Sequence, residues 1–226
     1  MTILYEDNHI IAVNKTCSEI VQADKTQDKP LSDMLKDYLK EKYNKPGNVF
    51  IGVPHRLDRP TSGIVLFAKT SKALSRLTEM FRKHGEIRKT YWAITEIKAI
   101  PQQATLENYL FRNERQNKTY IVEQNHKDAK LAILDYKIIS RSDRYQLLEI
   151  QLHTGRHHQI RAQLANIGCP IKGDLKYGSK RSNPDGGICL HARAIDFIHP
   201  VSKQQIHIEA PTPDTPIWNI FNTHIK

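Results

Sequence analysis

A single carboxylate, Asp58, stands between two guanidinium groups in the run His55-Arg56-Leu57-Asp58-Arg59-Pro60-Thr61-Ser62-Gly63. Positive charge on both sides favours the ionised form of an acid. Pro60-Thr61-Ser62-Gly63 reads as a turn, and the apolar run Ile64-Val65-Leu66-Phe67-Ala68 behind it reads as a buried strand. An ionised carboxylate at a strand edge, with cations beside it, is equipped as a nucleophile or base awaiting an anionic partner. The charges alone also describe a surface ion pair contributing about 0–1 kcal/mol. The order of the whole segment must therefore decide.

Other stretches share that ordered character. Ile11-Ala12-Val13-Asn14-Lys15 opens the chain, and Lys89-Thr90-Tyr91-Trp92-Ala93 places an aromatic phenol in a strand-like run. Gly155-Arg156-His157-His158-Gln159-Ile160-Arg161 ends in a third guanidinium. Gly173-Asp174-Leu175-Lys176-Tyr177-Gly178, Leu190-His191-Ala192 and Phe197-Ile198-His199-Pro200 follow. In this order the segments resemble the motifs of the RluA-type RNA pseudouridine synthases, along nearly the full length of the chain. Two departures from the family pattern stand out. Thr16-Cys17-Ser18 follows Asn14-Lys15 where a Pro and then a Gly are usual, and His157 stands where a Thr is common.

The resemblance implies a chemistry. Pseudouridine formation breaks the N1–C1′ bond of a uridine, turns the base and joins C5 to C1′, releasing only the C5 proton. That needs a nucleophile, a surface to hold the detached base and a base for the C5 proton, with no metal and no organic cofactor. Asp58 is the expected nucleophile, attacking either ribose C1′, as a retaining glycosidase would, or the uracil ring. Arg161 is expected to orient Asp58 through a bidentate fork. Tyr91 is expected to stack on the base and take the C5 proton. Because a stacked uridine cannot reach a buried carboxylate, the target must be extruded. Arg56 is the candidate to fill the gap, and Arg59 and Lys89 are candidates for phosphate contacts. The basic loops 112–118 and 176–181 are further candidates to grip RNA. The partners implied are tRNA, large-subunit rRNA or both.

These groups must be positioned by a mixed, largely antiparallel α+β fold, and the resemblance adds a curved central sheet with a catalytic cleft. Strands are expected at residues 3–5 and 10–13, and as a hairpin of 131–139 with 145–152. The tail is expected to return to strands at 188–195 and 205–210. Leu31, Met34, Leu35, Tyr38 and Leu39 recur at helical spacing, which predicts a helix over 31–43. Thr70 is a candidate N-cap for a second helix whose buried face is marked by Leu74, Leu77 and Phe81, with Gly85 as its stop. Ile160, Leu164 and Ile167 predict a third helix over 159–167, ended by Gly168. Residues 1–226 read as one catalytic domain, without the small RNA-binding module that many relatives carry ahead of it. RNA selection is then expected to come from this domain.

Composition sets the outer bounds. Thirty-four Lys and Arg against 24 Asp and Glu give a formal charge of +10, a balance that suits a polyanion. Cys17, Cys169 and Cys189 show no Cys-x-x-Cys spacing, which argues for reduced thiols rather than a disulfide framework or a zinc site. No signal-like start and no membrane-length apolar run is present, so a cytoplasmic location is expected; the sequence carries no signal of oligomeric state, and a monomer is taken as the default expectation. His153 and His157 lie four apart, but Gly155 between them speaks against a helical metal pair. The likeness of His-Arg-Leu-Asp to a kinase catalytic loop fails at Leu57 and at the missing Gly-rich loop. The competing reading is a non-catalytic RNA-binding protein that keeps only the synthase fold.

Overall fold

The computed structural model describes residues 1–24, 26–83 and 85–222. The chain enters through strands β1 (Thr2–Glu6) and β2 (Ile10–Lys15), paired across a turn that Asp7 closes by accepting the His9 and Ile10 amides. Helix α1 (Leu31–Lys42) follows, within a residue of its predicted bounds. Its first amides donate to the Ile20 and Val21 carbonyls, which replace a side-chain cap. Strand β3 (Ser62–Ala68) is buried at every position. Its side chains alternate: Ile64 and Leu66 join the cluster under helix α2 (Ser71–Arg82), and Val65 and Phe67 join the cluster under α1. A strand covered on both faces reads as a continuous apolar run, which is why 64–68 carries no polar residue. Thr70 caps α2, its hydroxyl accepting the Ala73 amide at 3.1 Å. The helix stops at Arg82, three residues before Gly85, when Lys83 turns extended.

Strands β4 (Ile87–Glu96), β5 (Gln103–Asn113), β6 (Lys118–Val122), β7 (Lys130–Arg141) and β8 (Tyr145–Leu152) form the antiparallel half of the sheet. Helix α3 (Gln159–Asn166) and a 3-10 turn at Leu175–Tyr177 lead to β9 (Leu190–Ile198) and β10 (Gln205–Glu209). Helix α4 (Pro216–Asn222), which sequence periodicity does not reveal, seats Trp218 and Phe221 in the core beside Trp92 and Leu190. The strand order is β1-β2-β3-β9-β4-β8-β7-β5-β6, with β10 also on β9. The α+β expectation of a mixed, largely antiparallel sheet holds.

Among the described residues the only parallel pairing is β3 with β9, where Ser62 faces His191 and Gly63 faces Ala192. This short seam joins the two halves of the sheet. Gly63 has φ +109°, and a Cβ there would lie 2.3 Å from the Ala192 carbonyl oxygen. The Ser62 hydroxyl meets His191 Nδ1 at 2.9 Å, and His191 Nε2 donates to the Ala210 carbonyl. Burial pushes the His191 pKa down to about 4, so its ring is neutral. The Ser-Gly that ends the Asp58 segment is thus the mortise of the sheet seam.

Candidate active site

The loop from His55 to Thr61 leads directly into that seam. His55 ties it to β3 by accepting the Leu66 amide at 2.9 Å, and stacks on Phe81 of α2. From below, Lys15 at the end of β2 is fully buried, and its ammonium donates to the carbonyls of Thr16, Arg59 and Thr61. Burial lowers the Lys15 pKa to about 8, against the opposing pull of Glu19, Cys17 and Asp58. Asp58 is held between these braces, with its own carbonyl accepting the Thr61 amide.

The second half of the site comes from the 155–161 segment. Gln159 folds the turn: its carbonyl oxygen accepts the Arg156 amide and the Thr154 hydroxyl, and its amide donates to Ile133. His158 sits at the N-cap of α3 in the left-handed region, with φ +50°. Ile160 enters the core and Arg161 points into the cleft. Arg161 Nη1 lies 3.3 Å from Asp58 Oδ2 and 2.8 Å from His158 Nε2. The expected fork is aimed elsewhere: Nε and Nη2 of Arg161 grip the buried Asp174 at 2.6 and 2.8 Å. Asp58 therefore receives one donor of Arg161, and Asp174 fixes the guanidinium that presents it.

Because a guanidinium only donates, His158 Nε2 must accept, which places the ring proton on Nδ1. Nδ1 then donates to Tyr177 Oη at 2.9 Å, and the same oxygen accepts the Thr119 amide. Burial and then the Arg161 charge depress the His158 pKa to about 2, so the ring is neutral. The chain Thr119–Tyr177–His158–Arg161–Asp58 thus runs from strand β6 to the carboxylate. His158 and Asp174 were in motifs visible in the sequence but had no assigned role. The i, i+3 spacing of His158 and Arg161 was the available signal, whereas nothing local reports that Asp174 closes on Arg161.

Asp58, Tyr91 and Arg161 line one cavity of about 400 Å³, together with Arg56, Lys89, Arg112 and Arg156. Tyr91 comes from β4, next to a register shift between Thr90 and Tyr91 against β9. Burial, and then the Asp58 charge, push its phenol pKa up. Lys89, two residues earlier, rests against Gly155, and burial lowers its pKa. Arg56 is exposed at the cavity edge. Arg59 turns away to Asp28 at 2.6 Å and does not line the cavity. Lys176 donates to the Gln116 and Asn117 carbonyls, so the two basic loops are fastened to each other.

His153 bonds Asp135 at 2.6 Å, away from the site. A different trio, Asp58, His157 and His158, brings potential metal-ligand atoms within 4.8 Å of one another. Asp58 lies far from these histidines in the sequence, and the fold brings it beside them. The Arg161 guanidinium already bonds the Asp58 and His158 ligand atoms, and its fixed charge opposes a dication there. The donor set suits an arginine-held carboxylate rather than a metal.

Residues 9–166 match the RNA pseudouridylate synthase family. The chain is 35% identical to ribosomal large subunit pseudouridine synthase C of Rickettsia prowazekii, over 93% of this chain and 68% of the relative. It is 29% identical to tRNA pseudouridine synthase C of Vibrio parahaemolyticus, over 100% of this chain and 95% of that protein. It spans only 66% of the length of some other bacterial relatives. In fold it resembles human RNA pseudouridylate synthase domain containing 4, with a TM-score of 0.79 at 22% identity over 99% of this chain and 92% of that one. With the Asp58–Arg161 pair, the sheet seam and this match in agreement, the chain belongs to the RNA pseudouridylate synthase family.

Proposed function

We propose that this chain isomerises uridine to pseudouridine in structured tRNA, large-subunit rRNA or both, with Asp58 as nucleophile and no metal or organic cofactor. The observation that carries the reading is the Asp58 carboxylate, 3.3 Å from Arg161 Nη1 in a cavity it shares with Tyr91. Relatives named for tRNA and for ribosomal large subunit modification support both RNA classes.

A uridine extruded from its helix enters the cavity, and Arg56 at the rim fills the stack it leaves. Arg161 holds the Asp58 carboxylate toward ribose C1′ or the uracil ring; both routes lead through a covalent intermediate. The apolar walls Leu152, Leu190 and Ile160 exclude water from the detached base. Tyr91 stacks on it. Since Tyr91 rests as a neutral phenol, its oxygen takes the C5 proton as its own hydroxyl proton passes to the Asp58 carboxylate, the charge that acts on it. Lys89 meets phosphate, and Arg59, committed to Asp28, does so only after that pair opens. A monomer in a reducing compartment completes the proposal, with Cys17, Cys169 and Cys189 as free thiols. Among the described residues no helix is long and apolar enough to cross a membrane.

The test is release of tritium from uracil C5 in total tRNA and rRNA, taken from cells lacking this protein, by wild type and by Asp58→Ala without added metal. Release by wild type alone is expected. Equal release by the variant would remove Asp58 from the chemistry, and release by neither would favour an RNA-binding protein that keeps only the fold.

A further inference from the structure

A second cavity, of about 520 Å³, adjoins the one that holds Asp58. The two share a wall built from Arg112, Gly155, Arg156 and His157. A nucleotide bound in the first cavity remains joined to its neighbours, and the shared wall offers its phosphodiester a path lined by two arginines. Arg112 and Arg156 are both exposed there. Arg156 is oriented by donating Nε to the Leu131 carbonyl at 3.0 Å, which leaves the outer end of its fork for an anion.

Beyond the wall the lining changes. Phe111 offers an aromatic surface of the kind on which bases stack. Glu114 and Asp128 also line the cavity, and among the described residues neither carboxylate has an ion-pair partner. Carboxylates only accept hydrogen bonds. Adenine, cytosine and guanine carry an exocyclic amino donor that a carboxylate can accept, whereas uracil carries none.

We propose that this second cavity binds the nucleotide next to the target uridine, with Arg112 and Arg156 on the linking phosphate and Glu114 and Asp128 selecting an amino-bearing base. The proposal rests on the reading of the chain as a synthase acting on RNA, and it makes the neighbouring base a determinant of which uridine is chosen.

The probes are UMP, UpU and the six dinucleotides that join U to A, C or G in either order, used as inhibitors of tritium release from total tRNA and rRNA. At least one amino-bearing dinucleotide is expected to inhibit at about tenfold lower concentration than UpU or UMP, the gain of one charge-assisted hydrogen bond. That advantage is expected to vanish in the double variant Glu114→Ala, Asp128→Gly, glycine being chosen because Asp128 has φ +64°. Equal inhibition by all the dinucleotides overturns the proposal, as does an advantage that survives in the double variant. If the double variant does not fold, the comparison of UpU with the amino-bearing dinucleotides on wild type decides alone. Absence of tritium release by wild type is instead a failure of the synthase reading, and calorimetric binding of the same probes then decides the cavity.

Discussion

Arg161 serves two carboxylates with opposite surroundings. Asp174 is buried and takes two of its donors, while Asp58 stands at the cavity and takes one. Removing the charge of Asp174 leaves a buried guanidinium uncompensated, which costs about 3–5 kcal/mol in such pairs. Asp174→Asn is therefore expected to lower the urea midpoint by that equivalent and to reduce turnover as Arg161 drifts from Asp58; an unshifted midpoint would contradict the buried-pair argument. Tyr177 acts one step further out. Tyr177→Phe strips His158 Nδ1 and the Thr119 amide of their acceptor, each orphaned donor costing about 1–3 kcal/mol. Because Tyr177 does not line the Asp58 cavity, the variant is expected to lose kcat with little change in KM. A raised KM at constant kcat would show that the hydroxyl contacts RNA instead.

The Asp58 loop shows what the sequence made legible and what it withheld. Asp58, Tyr91 and Arg161 were readable because each sits in an ordered motif, and the fold gathers all three into one cavity. Helices α1, α2 and α3 announced themselves through 3.6-residue periodicity, with bounds correct to within three residues. Helix α4 was invisible because seven residues are too few to set a period. The aim of the Arg161 fork and the neutral His158 were hidden for a different reason: both depend on partners brought together only by the tertiary fold. Gly63 illustrates the same limit, since its contact with Ala192 spans the seam. Gly63→Ala combines a forbidden φ with a backbone clash, and a loss of about 3–5 kcal/mol is expected. An unchanged melting temperature would mean the seam yields without cost.

Across the whole molecule, buried neutral histidines set the acid side of stability. His158 and His191 hold pKa values of about 2 and about 4, against an ordinary 6.5. The unfolded chain takes up protons below pH 6.5 that the folded chain refuses, so stability falls as pH drops through 6.5 toward 5. The carboxylates with lowered pKa, such as Glu6 at about 2 from an ordinary 4.5, lose their contribution only further down. Each neutral histidine is expected to account for up to about 2 kcal/mol of that loss by pH 5. Urea unfolding at pH 7 and 5 measures it, and His191→Gln is expected to reduce the difference by up to about 2 kcal/mol, leaving the His158 share. The charge of +10 has its own signature: Lys89→Ala is expected to weaken binding to every RNA alike and to reduce the slope of log K against log salt by about 0.7–0.9. An unchanged slope would take Lys89 off the phosphate path.

The seam between β3 and β9 also fixes when the site can first assemble. Ser62 meets His191, 129 positions further along the chain, and Asp58 lies 103 residues before Arg161. A ribosome must therefore deliver β9 before the Asp58 loop has its final support, and contacts of such separation close late. Nascent chains released before β9 emerges would carry Asp58, Tyr91 and Arg161 complete in sequence and still lack the seam that anchors the Asp58 loop. Assembly of the Asp58 site thus waits on β9, well after Asp58, Tyr91 and Arg161 have themselves been made.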